Sequence, residues 1–212
     1  MTKDLIFFLA HLDDFEISCM GYLLKHHQQY DEIRCVLASS WDPKADLWSN
    51  NLRDISSFIG REIRYDNLEF KQRSLTSNFD EVKDKFYKTI EFGKSSRFDI
   101  VTHDSNDCHT DHTSVHAISK GLYKYTNRFV TVYSPSSISF EPNYWIGFND
   151  SQYALKKKML DKYSIGVEQS YTKLGYYLQS DPHYNIGNAY YMENFVHMDE
   201  PHHECYKILK WS

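Results

Sequence analysis

The spacing of apolar and polar positions predicts short buried strands alternating with helices. Six consecutive apolar residues, Leu5 to Ala10, read as a strand covered on both faces, since a half-buried strand would alternate instead. Ile33–Ala38, Phe98–Thr102 and Phe129–Tyr133, mostly apolar, read as further strands, and Ile63–Tyr65 is a shorter candidate. Between them the spacing turns helical. Phe15–Gln29 carries Ile17, Met20, Tyr22, Leu23 and Leu24 near one face. Asn51–Ile59 places Leu52, Ile55, Phe58 and Ile59 on one side and meets Gly60 as a stop. Asp80–Phe92 sets Val82, Phe86 and Ile90 four apart, and His112–Tyr125 forms a further helix. Strand followed by helix, repeated, predicts an α/β domain: a Rossmann-like three-layer fold with a mainly parallel sheet and right-handed crossovers.

After Ser134 the pattern changes. SPSSISFEPNYW is loop-like, Ala154–Ile165 is helical, and the remainder is rich in Tyr and punctuated by Gly166, Gly175, Pro182 and Gly187. The expectation is one domain over residues 1–212. Residues 1–134 form its Rossmann-like core, and 135–212 form a C-terminal cap and substrate-pocket wall.

A chain of 212 residues buries enough surface to fold without disulfide staples. The four cysteines form no CxxC pair, and no apolar stretch approaches a membrane span, so a reduced cytoplasmic compartment and no membrane are expected. The formal net charge of −5 argues against nonspecific grip on nucleic acid. Neither GxGxxG nor GxxxxGK[ST] occurs, which argues against a nucleotide cofactor or phosphoryl transfer. Two counts stand out, 11 His and 17 Tyr.

Chemistry concentrates at two predicted strand ends. His11-Leu12-Asp13-Asp14-Phe15-Glu16-Ile17 follows the first strand and opens the first helix. His109-Thr110-Asp111-His112 follows the Phe98–Thr102 strand and opens another helix. Open α/β sheets bind ligands at the carboxyl ends of their strands. Imidazole and carboxylate together suit Zn²⁺ and similar divalent ions. The same residues also have plainer uses, Asp13 and Asp14 as helix caps and the histidines as solvated polar groups.

The two motifs resemble those of the PIG-L/LmbE-like zinc-dependent N-deacetylases: AH[P/A]DDxE in the first case, HxDH in the second. Weaker likenesses are Arg53–Gly60, Lys158–Ser164 and Glu193-Asn194-Phe195, with Ser56, Tyr163 and Ile165 where the family pattern has Glu, His and Gln. The resemblance implies His11, Asp14 and His112 as ligands of one Zn²⁺, with Fe²⁺ or another divalent ion accepted by the same donors. It implies Asp13 as general base to a zinc-activated water, and His109 as the group that stabilises the oxyanion or protonates the leaving amine. Asp111 would orient His109, and Arg53 would contact substrate. The implied activity is removal of an N-acyl group, in the first instance acetyl, from an N-acetylglucosamine-like small molecule. Alternatives are an amide on a modified nucleoside, a thiol–sugar conjugate or an antibiotic intermediate, and a metal-binding scaffold without catalysis. The expected partner is a small N-acetylated sugar conjugate, with a homo-oligomer left open. The tyrosine-rich tail, Tyr171 to Tyr191, offers faces for stacking on sugars or for ordinary packing.

Overall fold

In the computed structural model, residues 3–40, 45–93, 97–134, 136–164 and 202–210 are described. They form a mixed sheet of seven strands in the order β3-β2-β1-β4-β5-β7-β6. The strands are β1 (Asp4–Leu9), β2 (Glu32–Ser39), β3 (Arg64–Phe70), β4 (Phe98–His103), β5 (Thr126–Val132), β6 (Tyr144–Phe148) and β7 (His202–Lys210). The first five are parallel. The strand β7 runs antiparallel between β5 and β6. The helices are α1 (Asp14–Ser18), α2 (Met20–His26), α3 (Ala45–Ile59), α4 (Phe79–Thr89), α5 (Thr110–Lys120) and α6 (Asp150–Ser164).

The continuous apolar runs are buried on both faces because helices cover both. Along β1, Leu5, Phe7 and Leu9 enter a core layer with Phe15, Met20, Leu52, Ile55 and Met159. Ile6, Phe8 and Ala10 enter a second layer with Val82, Phe86, Val115 and Ile118. Side chains of a strand alternate between faces, so one run of six supplies both layers. Phe8 and Phe86 stack at 3.7 Å between centroids. Strand order reverses between β1 and β4, and a crevice opens at the carboxyl ends of strands at such a switch point.

Several elements differ from expectation; β3 runs on to Phe70, and α5 ends at Lys120 ahead of a separate 3-10 turn, Tyr123–Tyr125. The helix predicted over Phe15–Gln29 breaks at Cys19 into α1 and α2 and ends in a 3-10 turn, His27–Gln29. The break has a donor-side cause. The Gly21 amide donates to Glu204 Oε2 at 2.9 Å and the Tyr22 amide to Tyr206 Oη at 2.8 Å. Gly21 is needed there, since a Cβ would lie 3.0 Å from Glu204, Phe148 and Tyr206. The helix predicted from Asn51 begins earlier, at Ala45, and ends as expected before Gly60, whose φ is +66°. Finally, parts of the segment expected as a cap are strands of the same sheet: β6 begins at the end of the loop-like stretch and runs beyond it, and β7 returns beside β5. Residues 165–201, which hold Ile165, the tyrosine-rich tail and Glu193-Asn194-Phe195, lie outside the described residues. Among the described residues, no helix is long and apolar enough to cross a membrane.

Candidate active site

The loop after β1 and the loop after β4 meet at the switch point. From the first come His11, Asp13 and Asp14. The His11 amide donates to Asp14 Oδ2 at 2.7 Å, so Asp14 closes the turn that carries both. Asp13 is the N-cap of α1, yet its side chain makes no capping bond. The capping reading therefore does not account for its carboxylate. From the second loop come His109, the N-cap of α5, and His112, one turn into that helix.

Two overlapping groups converge there: His11, His109 and His112; and Asp14, His103 and His112. His11 Nδ1 faces His112 Nε2 at 3.1 Å. Asp14 approaches His11 Nδ1 through Oδ2 and His112 Nε2 through Oδ1, both at 3.5 Å. The far nitrogens are already engaged. His11 Nε2 meets Asp111 Oδ2 at 3.2 Å, and His112 Nδ1 meets Asp107 Oδ2 at 2.9 Å. If each far nitrogen carries the ring proton, the two near nitrogens present lone pairs to one another beside a carboxylate. That arrangement is unfavourable by itself and suits a shared cation. Donors bound at 2.0–2.1 Å in a tetrahedral site stand about 3.3 Å apart, the scale seen here. The donor set therefore fits a divalent metal, and two imidazoles with one carboxylate suit zinc or iron(II).

The electrostatics agree. Burial alone would lower the pKa of His11, but Asp111 and Asp14 outweigh it and hold the pKa up at about 10. Burial is likewise outweighed at His112 by Asp14 and Asp107, giving about 9. Asp14 moves the other way: burial would raise it, but the charges of His112 and His103 hold it well below the usual carboxylate range. In the protein alone, protons take the place that suits a cation.

His109 lies with its ring centroid 4.5 Å from that of His11. Its Nδ1 accepts the Asp111 amide at 3.2 Å, so the neutral ring carries its proton on Nε2. Burial and the neighbouring His11 and His112 lower its pKa. The relation to Asp111 thus differs in detail from expectation. Asp111 orients His109 through its backbone amide, while its buried carboxylate serves His11. That carboxylate also accepts the Arg73 amide at 2.5 Å and the Leu75 amide at 3.2 Å, pinning the loop after β3. Arg53 is not brought to the cluster. It is exposed on α3, with its guanidinium bonded to Asn50 and Tyr65.

Four contributors had no role assigned to them from the sequence. His103 ends β4, accepts the Ala10 amide at 3.1 Å and stands 3.1 Å from Asp14 Oδ2. The strand-end argument that singled out His11 applies equally to it. Asp107 accepts the His109 amide at 2.8 Å and the Ser134 hydroxyl at 2.5 Å besides its bond to His112. Glu16, fully buried, accepts from Asn51 at 2.8 Å, and burial pushes its pKa up to about 8 against the opposing bonds from Asn51 and Tyr163. Tyr163 bonds Leu12 O and Glu16. Glu16 lies within the first motif and Tyr163 within the Lys158–Ser164 likeness, whereas no spacing signal connects Asp107 to the site. Two departures from the family pattern are used internally. Ser56 bonds Leu52 O and accepts the Ile63 amide, and Tyr163 is buried against the His11–Asp14 turn.

Fold and cluster define an α/β protein with a His–Asp centre at the switch point of a mostly parallel sheet. The chain belongs to the PIG-L family, described as GlcNAc-PI de-N-acetylase, whose sequence model matches residues 6–123, more than half of it. Compared sequence against sequence, no curated protein matches. Among solved structures, the chain is similar to an N,N'-diacetylchitobiose deacetylase from Pyrococcus horikoshii, with 15% identity, TM-score 0.66, and 98% of this chain and 84% of that one covered. It is similar to the teicoplanin deacetylase Orf2 at 13% identity and TM-score 0.61, with 97% of both chains covered. It is also similar to GalB, a 4-carboxy-2-hydroxymuconate hydratase from Pseudomonas putida, at 12% identity and TM-score 0.58, covering 99% of this chain and 96% of that one. At these identities the likeness concerns the fold, which hosts more than one chemistry.

Proposed function

We propose that this protein is a metal-dependent N-deacetylase acting on a small molecule that contains an acetylated amino sugar. The observation that carries the reading is the convergence of His11, Asp14 and His112 beside Asp13, a carboxylate not used as a cap. Family membership and the deacetylase neighbours support the same reaction class. The ligands in this reading are His11, Asp14 and His112, and the ion is zinc or iron(II). A divalent ion there supplies Lewis acidity, lowering the pKa of a water toward about 7 and polarising the acyl carbonyl.

The chain's own groups then divide the work. Asp13 accepts the proton of the attacking water. Neutral His109 directs its Nε2 hydrogen to the developing oxyanion, and its bond from the Asp111 amide keeps the tautomer that allows this. As the C–N bond breaks, the proton taken up by Asp13 passes to the departing amine, leaving acetate and restoring the Asp13 carboxylate. Asp111 holds His11 and Asp107 holds His112 with the far nitrogens occupied, which leaves the near ones for the ion. Arg53 has no part in these steps. The reading places the protein in the cytoplasm with a small-molecule partner.

The test is metal analysis combined with acetate release from a panel of N-acetyl sugars and non-sugar acetamides. One equivalent of divalent metal and turnover of the sugars are expected. No stoichiometric metal, with Asp14→Ala indistinguishable from wild type, would overturn the reading. Turnover of the non-sugar amides alone would move it to another amide substrate.

A further inference from the structure

Leu12 lies between His11 and Asp13, and its carbonyl is gripped from a distant part of the chain. Tyr163 of α6 donates its hydroxyl hydrogen to Leu12 O at 2.8 Å. The same hydroxyl lies 2.9 Å from Glu16 Oε1, which also accepts from Asn51 Nδ2 at 2.8 Å. Lys162, the residue before Tyr163, donates to Asn51 Oδ1 at 2.9 Å and to Asp54 at 3.0 Å. Tyr163 is 3% exposed, and Glu16 and Asn51 are fully buried. Helices α1, α3 and α6 are thus cross-tied at one peptide group of the turn. The turn's own backbone bond, Asp14 N to His11 O, is long at 3.4 Å; inside the turn the His11 amide is held by Asp14 Oδ2 at 2.7 Å, while the Leu12 carbonyl is held from α6.

We infer that Tyr163 is a positioning residue for the His11–Asp14 turn, its hydroxyl fixing the Leu12–Asp13 peptide plane and so the direction in which Asp13 presents its carboxylate. The reason is covalent. The carbonyl of Leu12 and the amide and Cα of Asp13 lie in one plane, so anchoring the oxygen anchors the start of Asp13. A general base displaced by an ångström loses most of its advantage. The inference rests on the reading of Asp13 as the base. Tyr163 touches neither substrate nor ion in this account.

The experiment compares Tyr163→Phe with wild type. The phenyl ring keeps the buried volume and only the hydroxyl is lost. Metal content should be unchanged, kcat should fall about tenfold or more, and KM should stay within about twofold. In the metal-free protein, amide exchange in peptides covering residues 11–15 should speed up about three- to tenfold, the effect of one lost hydrogen bond. Asn51→Ser removes the donor to Glu16 without touching the ring; it should move the same peptides by less and gives an answer should Tyr163→Phe not fold. Unchanged exchange in both variants overturns the inference whatever the activity. Faster exchange with kcat unchanged overturns it too, as does a rise in KM alone, which would mark a substrate contact. If wild type releases no acetate while Tyr163→Phe still exchanges faster, the deacetylase reading falls and the support of the turn by Tyr163 stands.

Discussion

Asp107 Oδ2 lies 2.9 Å from His112 Nδ1, while the opposite nitrogen of that ring faces His11. A carboxylate behind a ligating histidine fixes the tautomer and raises the basicity of the nitrogen that binds. Asp107→Asn keeps the shape and removes the charge. Metal affinity should drop about 10- to 100-fold, read by chelator competition, with the fold intact by circular dichroism. Unchanged affinity would leave Asp107 as a loop brace for Ser134 and His109.

Asp13 and Asp14 are adjacent and should fail differently. Asp14→Ala should lose bound metal. Asp13→Asn should keep it and lose about 10²- to 10⁴-fold in kcat, the usual worth of a general base. Elemental analysis beside turnover separates the two. Loss of metal in Asp13→Asn would reassign Asp13 as a ligand.

The raised pKa values of His11 and His112 give a pH dependence with a definite sign. In the metal-free protein both rings are more easily protonated folded than unfolded, at about 10 and about 9 against the ordinary 6.5. Their contribution to stability is fully present below about pH 6.5 and is lost as pH rises through those values. The melting temperature in chelator should therefore fall between pH 7 and 10, and bound metal should abolish that slope. Metal uptake at pH 7 should release the proton held between the two rings, measured as the dependence of binding enthalpy on buffer ionisation.

Lys156 and Glu204 form a buried ion pair at 2.5 Å, each side chain 5% exposed. The lysine also donates to Ile17 O at 2.7 Å, and Glu204 holds the Gly21 amide. The pair ties α6 and β7 to the α1–α2 break. Lys156→Met strands a buried carboxylate and should cost about 3–5 kcal/mol, or of order 10 °C in Tm. Adding Glu204→Gln removes the stranded charge and should recover part of the loss, so the two changes are non-additive in calorimetry.

The legible parts of this protein were those written in local spacing. Leu5–Ala10 announces a parallel strand, since only a strand covered on both faces stays apolar at every position, and Phe98–Thr102 is a shorter, less pure instance. His11 and Asp14 were legible because they follow such a strand within four residues, and His112 because it opens the helix after another. What escaped had no local mark. The five residues of β6 are flanked by Asn and Pro residues that suggest a loop, and β7 is a strand only because β5 and β6 offer it edges to pair with. The break at Cys19 lies inside an acceptable helical pattern. It exists because side chains from β7 take the amides of Gly21 and Tyr22.

The sequence alone determined the layered α/β class, both halves of the His–Asp centre and the order in which the chain delivers them. The tertiary structure decided which atoms face which. It set Asp111 on His11, 100 residues away, and Tyr163 on Leu12, 151 residues away, and it set His103 against Asp14. Periodicity reports how a segment meets its layer. Contacts between loops follow from which strands are neighbours, here β1 beside β4, and neighbourhood in a sheet is settled by the packing of the whole chain.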